Sequence, residues 1–320
     1  MFAMSSSFAG LVAGRALIGL GVSVCLMASF QAFMLYYPTE RIATVNSRAF
    51  AAGILGAITV SVPLEAALNL YSWRTIVMSF AALTLLASVA IFFAAPAHDR
   101  AATRTPLGTA LEVARLLLGD PAFRRIAPMV STTQSIGVAL FTLWIATWLR
   151  DVAGYDRVAV GRALLVVSLA LIAGFLAFGR MADARVRRGA SVLPLVVGGA
   201  AASLVCLVML ALGVTTGAMA LWAVFTFSST AATLGYSMLT RRYPKEMAGR
   251  VNTTLNTFIF IGMFLAQWGV GFVLQLWPRS GTGYAPQAYG VALGTLALLQ
   301  GAGIAWLWRG RGLFASQSGA

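Results

Sequence analysis

The sequence predicts an all-α membrane protein made of two related helical halves in tandem. Composition is the first reason: 59% of residues are hydrophobic, only 10% are charged, and the mean hydropathy is +0.84. A water-soluble domain of 320 residues cannot hide that much apolar surface, so the bilayer is its solvent. The second reason is an internal repeat. The phrase Tyr37-Pro38-Thr39-Glu40-Arg41-Ile42-Ala43-Thr44-Val45-Asn46-Ser47 returns 206 residues later as Tyr243-Pro244-Lys245-Glu246-Met247-Ala248-Gly249-Arg250-Val251-Asn252-Thr253. Each copy follows one apolar run, opens another, and sets a glycine, Gly56 or Gly262, at the same distance into it. A match at one fixed offset marks a large duplicated unit.

Runs able to cross ~30 Å of hydrocarbon at ~20 residues each lie at about 13–36, 47–70, 74–96, 124–149, 157–179, 190–213, 217–240, 252–276 and 286–308. Backbone polar groups in lipid must pair within their own segment, so these about nine full spans are helices. Residues 1–10 are apolar but too short to span, carry no cleavage-site pattern, and read as the tail of a helix. The connection at 97–123 is long, basic and proline-bearing, with a weakly amphipathic stretch from Leu107 to Leu118 suited to the membrane surface. It divides an incomplete amino-terminal bundle, 1–96, from a complete six-helix bundle, 124–320. His98, the only histidine, reads as a solvated loop residue rather than a proton relay.

The net charge of +14 raises nucleic acid as a partner, but the basic residues sit between apolar runs and form no basic face, so nucleic acid is excluded. Topology explains them. Of 23 Lys and Arg, seventeen fall in one set of alternate connections and four in the other, which places the richer side and the carboxyl terminus in the cytoplasm. The expected setting is the inner (plasma) membrane of a bacterium. Cys25 and Cys206 lie inside apolar runs and do not correspond under the repeat, so neither a disulfide framework nor a metal site is implied. No phosphate-binding loop and no paired histidines occur. The chain is therefore not expected to be an enzyme or an ATP-driven pump, and no cofactor or metal is expected.

Two local patterns resemble the major facilitator superfamily of secondary transporters. Gly179-Arg180-Met181-Ala182-Asp183-Ala184-Arg185-Val186-Arg187-Arg188 is similar to that family's G-x-x-x-D-R-x-G-R-[RK] loop, keeping the glycine, the aspartate and the last two arginines. Leu11-x-x-x-Arg15-x-x-Ile18-Gly19-x-Gly21 resembles the start of its fourth helix, with Ile18 where the family has glutamine. From Gly53 to Pro63 the family's antiporter pattern is absent. The resemblance implies parallel six-helix repeats joined by a central cytoplasmic loop, and alternating access around a midplane site. By the repeat offset a full repeat would have about eighty residues, two helices and most of a third, before Met1, so the expectation is a truncated gene model or fragment, with a degraded gene or a genuine nine-helix protein as the alternatives. The resemblance also implies that Asp183, with Arg187 and Arg188, reaches the helix opening at Asn46-Ser47-Arg48. There the free amides, the helix dipole and Arg48 would attract a carboxylate; the alternative is that Asp183 merely neutralises its own loop.

Polar residues inside spans are costly and few. Arg15 and Glu65 stand at similar depth, offset by ~3 Å at ~1.5 Å per residue. They are read either as a gating or proton-handling couple or as a static ion pair anchoring two helices. Gln134 and Phe141 share a helix face, as do Ser229, Thr233 and Tyr236, and Asn256, Met263 and Gln267. The resemblance puts these helices around a substrate cavity. Ser229 and Thr233 have close helix packing as the competing role, whereas an amide such as Gln134 or Gln267 facing lipid would be left unpaired. Trp73, Trp148, Trp277 and Tyr284 near span ends read as an aromatic belt. The expected function is secondary active transport of a small organic solute by a monomer, coupled to a proton or another ion. The alternative is a solute sensor or an inactive remnant on the same scaffold.

Overall fold

The computed structural model describes residues 1–23, 25–94, 112, 115–244, 247–279 and 283–309, and their regular structure is helical. In chain order the helices are α1 (Phe8–Ser23), α2 (Cys25–Tyr36), α3 (Ile42–Leu70), α4 (Trp73–Ala94), α5 (Pro121–Ala139), α6 (Ile145–Asp151), α7 (Arg157–Arg187), α8 (Leu193–Ala211), α9 (Ala218–Ser229), α10 (Leu234–Thr240), α11 (Ala248–Gln275) and α12 (Pro286–Arg309). Among the described residues eight segments are long and apolar enough to cross a membrane. The ninth expected span falls on α3, which is helical over 29 residues but is not one of those eight. Most of the 97–123 connection, His98 and Leu107 included, lies outside the described residues.

The repeat is visible in the backbone. The Pro38 carbonyl accepts from the Arg41 amide at 3.0 Å, and the Pro244 carbonyl from the Met247 amide at 2.9 Å. One residue later α3 begins at Ile42 and α11 at Ala248, positions that correspond under the same offset. The helix expected to open near Asn46 thus opens a full turn earlier. Proline, which fixes φ and lacks an N–H, is suited to start such a turn.

The chain forms two compact units, residues 1–29 with 56–112 and residues 30–55 with 113–320. In the first, residues 1–10 are not one continuous helical tail. A 3-10 turn, Phe2–Met4, stops at Ser5, and α1 starts afresh at Phe8 after Ser7, whose hydroxyl accepts from the Gly10 amide at 3.1 Å. Serine side chains compete for backbone groups in this way and break helices. Phe2 meets Trp73 edge-on at 5.7 Å, and the Arg74 guanidinium donates to the Ser5 carbonyl at 3.1 Å.

In the second unit Asp120 and Asp156 cap α5 and α7, accepting from the amides of Ala122 at 2.8 Å and Ala159 at 2.7 Å. Helices α7 and α8 approach α9 at glycine. A methyl on Gly174 would lie 2.6 Å from the Phe227 carbonyl, and one on Gly199 2.7 Å from that of Ser228. Close backbone approach is how membrane helices pack where lipid supplies no hydrophobic drive. Trp148 overturns its place in the expected belt: it is 1% exposed and packs edge-on against Trp222 at 5.6 Å in the bundle core.

Two irregularities interrupt spans that read as uniform in sequence. A π-helical turn, Leu140–Trp144, separates α5 from α6. A 3-10 turn, Thr230–Thr233, separates α9 from α10, inside a run of hydroxyl residues that each bond a carbonyl three positions back: Ser229 to Thr226, Thr230 to Phe227, Thr233 to Thr230, Ser237 to Leu234. Such back-bonding favours the tighter winding.

Candidate functional site

Seven residues before each Tyr-Pro turn stands an aromatic residue, Phe30 or Tyr236, and these positions correspond under the repeat. So do Phe50 and Asn256, thirteen residues after each tyrosine. In the first copy the pair is apolar, with Phe30 and Phe50 edge-on at 5.6 Å. In the second it is polar, the Tyr236 hydroxyl donating to Asn256 Oδ1 at 2.8 Å. The two pairs meet. Phe30 packs edge-on against Tyr236 at 5.2 Å, and Phe50 lies 6.4 Å from Tyr236 while stacking on Phe175 at 5.0 Å. Phe30 and Tyr236 are each 1% exposed. Seven residues of helix rise ~10 Å, so this plug sits about two turns inside the arginine-rich face.

Beyond the plug, Asp183 in the last turns of α7 is 3% exposed, and its Oδ2 accepts from the Thr44 amide at 3.1 Å. Thr44 is in the first turn of α3, where amides have no partner within the helix. The contact is thus two residues before Asn46, because the helix starts earlier than expected. Gly179 makes the approach feasible, since a methyl there would lie 2.7 Å from Ser47 Cβ and 3.2 Å from the Ala43 carbonyl. Arg187 and Arg241 lie within electrostatic reach of Asp183. Burial lowers the pKa of Arg241 below the usual arginine value, against the attraction of Asp183 and Glu40. Arg187, Arg188 and Arg48 are exposed.

Of the residues expected to touch substrate, Gln134 is buried on α5 with its Oε1 unpaired among the described residues. Phe141 lies in the π turn and packs on the bundle core. Next to it Thr142 Oγ1 bonds the Val138 carbonyl at 2.7 Å and accepts from Gln267 Nε2 at 2.9 Å, so the turn brings α11 and the end of α5 together. The hydroxyls of Ser229 and Thr233 are engaged by their own helix, and Ser229 also abuts Gly137. Arg15 is exposed on α1. Glu65 is on α3 with its side chain outside the described residues, and the Arg15–Glu65 pair is therefore outside them as well.

Three polar centres escaped the sequence reading. Asp151, its side chain 2% exposed, accepts from the Arg150 guanidinium at 2.8 Å, the Tyr284 amide at 3.1 Å and the Tyr289 hydroxyl at 2.9 Å. It ties the end of α6 to the start of α12. Gln300, 1% exposed, donates to the Ala200 carbonyl and to Ser203 Oγ at 2.9 and 2.8 Å. On the arginine-rich side the Tyr243 hydroxyl donates to Asp120, and burial together with that bond raises the tyrosine's pKa. Only an acid at a span end and a glutamine within a span signalled the first two.

The fold defines a helical, repeat-built membrane protein with polar groups turned into its bundle. Residues 1–267 match the family model of the Major Facilitator Superfamily, and the chain belongs to that family. A search of curated proteins finds no match to it.

Proposed function

We propose that the chain is a secondary active transporter of a small organic solute, working by alternating access with an ion gradient as its drive. The plug formed by Phe30, Phe50, Phe175, Tyr236 and Asn256 carries the reading. It joins repeat-equivalent positions of the two sequence halves, 1–96 and 124–320, as expected of a closure that forms and parts when such halves rock. The Asp183–Thr44 bond, beyond it, holds the same side shut and biases the equilibrium rather than the fold. Gln134, Phe141 and Gln267 are the proposed solute contacts. Ser229 and Thr233 shape the helix that carries Tyr236. In the same reading the carboxyl terminus is cytoplasmic, the membrane is a bacterial inner membrane, and the monomer is the working unit.

The test uses a chain freed of Cys25 and Cys206, reconstituted in vesicles. Gln134→Cys should react with an impermeant thiol reagent from the side opposite the arginine-rich loops. Adding Asp183→Asn should move that reactivity toward the arginine-rich side; unchanged sidedness in both forms would end the alternating-access reading. Solute uptake that survives collapse of all ion gradients would remove the ion coupling. Arg15 and Glu65 are proposed as a coupled pair, for which the double substitution to Gln should be milder than the sum of the singles; simple additivity in transport and expression would dispose of it.

A further inference from the structure

A groove of about 650 Å³ lies between α5, α11 and α12, all within the second unit. Its lining runs from Phe123 to Ile136 on α5 and from Phe258 to Val273 on α11; because Ser135 meets Ile259 and Thr142 meets Gln267, the two stretches are staggered, and the groove reaches from Arg124 to a level ~36 Å away at ~1.5 Å per residue. It crosses the ~30 Å hydrocarbon core, and the half next to Arg124 matches one leaflet's share.

The wall is apolar in chemistry as well as composition. Three of its hydroxyls are already bonded to backbone: Thr132 to the Pro128 carbonyl at 2.8 Å, Ser135 to that of Ile259 at 2.8 Å, Thr295 to that of Val291 at 2.9 Å. Ser131 Oγ alone is buried there without a partner among the described residues. A polar solute would find almost nothing to bond along this length, so what fills the groove must itself be apolar along its length.

The mouth has the opposite chemistry, and a proline arranges it. Pro128 has no N–H, which frees the Arg124 carbonyl from its place in the helical ladder. Trp306 Nε1 takes that carbonyl at 2.8 Å. Arg125 is then committed to the same tryptophan, lying 4.2 Å above its ring and donating to its carbonyl at 3.1 Å. Arg124, exposed and lining the groove, has no acidic partner among the described residues. An indole latched at the mouth beside an uncommitted guanidinium suits the headgroup level of a bilayer.

We propose that this groove is a binding site for one anionic phospholipid from the leaflet bordering the arginine-rich loops. An acyl chain lies along Phe258, Leu296 and Leu299, and the phosphate sits on Arg124. Charge complementarity selects the occupant, because a guanidinium binds a phosphate with two parallel hydrogen bonds. The site needs only membrane embedding and stands apart from the transport reading.

Native mass spectrometry of the purified full chain, with phosphatidylglycerol or phosphatidylcholine of identical acyl chains, tests it. Phosphatidylglycerol should be retained as a single adduct about fivefold more strongly. Arg124→Gln should bring it down to the phosphatidylcholine level, while Arg180→Gln, an exposed arginine elsewhere on that side, leaves it unchanged. Leu299→Trp narrows the groove at an exposed lining position about two turns from Trp306 and should abolish the adduct while the elution profile stays that of the folded protein. Equal retention of both lipids, indifference to Arg124→Gln or Leu299→Trp, or displacement by glycerol phosphate, the mark of a small-anion site, would each overturn the proposal.

Discussion

The two Tyr-Pro copies build the same turn and spend it differently. After the first, the opening of α3 is engaged at three levels: the Thr44 amide by Asp183, Ser47 by Gly179, and Phe50 by Phe30 and Phe175. After the second, Thr253, the counterpart of Ser47, is exposed, and further along α11 Phe264 and Trp268 are 63% and 61% exposed. Within the corresponding pairs, Phe30 and Phe50 of the first copy meet through rings alone, whereas Tyr236 and Asn256 of the second share a hydrogen bond. Duplication has preserved the backbone geometry, which needs only a proline and a helix start. Side chains then decide which copy becomes a seam and which lies open to lipid or ligand.

The seam is the easiest part of this comparison to break. Gly179→Val pushes a branched side chain into Ser47 and the Ala43 carbonyl, neither of which can swing aside cheaply. Overpacking of this kind costs ~1–3 kcal/mol. Thermal stability in detergent should fall by an amount near the top of that range. Thr253→Val, at the matching place on the open copy, should leave it unchanged. Equal losses would mean that the first copy is no more engaged than the second.

Converting the second copy's chemistry into the first's gives the next largest effect. Tyr236→Phe leaves the Asn256 amide oxygen without its donor, and Asn256→Leu leaves the phenol without its acceptor, each costing ~1–2 kcal/mol. With both replaced the pair resembles Phe30 and Phe50, and the double variant should recover at least ~0.5 kcal/mol of the summed loss. A strictly additive cycle would show that the plug's polar half is not a pair.

The helical class was legible because lipid enforces the pattern of apolar and charged residues, the repeat because the Tyr-Pro phrase returns at one offset, and the family because Gly179–Arg188 and Leu11–Gly21 resemble its motifs. The resemblance pointed Asp183 toward the start of α3, and the amide it meets is Thr44 rather than one at Asn46. Sequence periodicity resolves a helix start only to about a turn when a 3-10 segment, Thr39–Arg41, leads into it. The π turn at Leu140–Trp144 was invisible, since one extra residue in a hydrogen-bonded ring has no compositional mark. Trp148 was misread because a tryptophan near a span end has the same local sequence whether it faces lipid headgroups or Trp222. The plug required pairing Phe30 with Tyr236, a phenylalanine with a tyrosine, which only the shared offset and the rings in space reveal.

Removing one charge at the seam should have a smaller effect. Asp183→Asn keeps the shape but weakens the attraction to the α3 amides by ~1 kcal/mol. Ser47→Cys, buried beside that contact at 3% exposure, should then react about fivefold faster with a thiol reagent when combined with Asp183→Asn than when alone. Unaltered reactivity would assign Asp183 to its own arginine-rich loop.

The smallest expected difference is between the two tyrosines of the repeat themselves. Tyr37 is 47% exposed, and its ring meets the Phe33 ring at 6.1 Å. Tyr243 is half-buried and donates to Asp120, which also caps α5 through the Ala122 amide. Tyr243→Phe therefore removes a bond to a carboxylate that retains its second partner and some contact with water, so the carboxylate is not stranded and the cost stays near ~1 kcal/mol. Tyr37→Phe removes no bond among the described residues and should cost nothing measurable. Thermal unfolding of the two variants side by side in one detergent checks this. A larger loss from Tyr37→Phe would mean that the first copy's turn, not the second's, is held by its phenol, and would reverse the asymmetry on which the comparison rests.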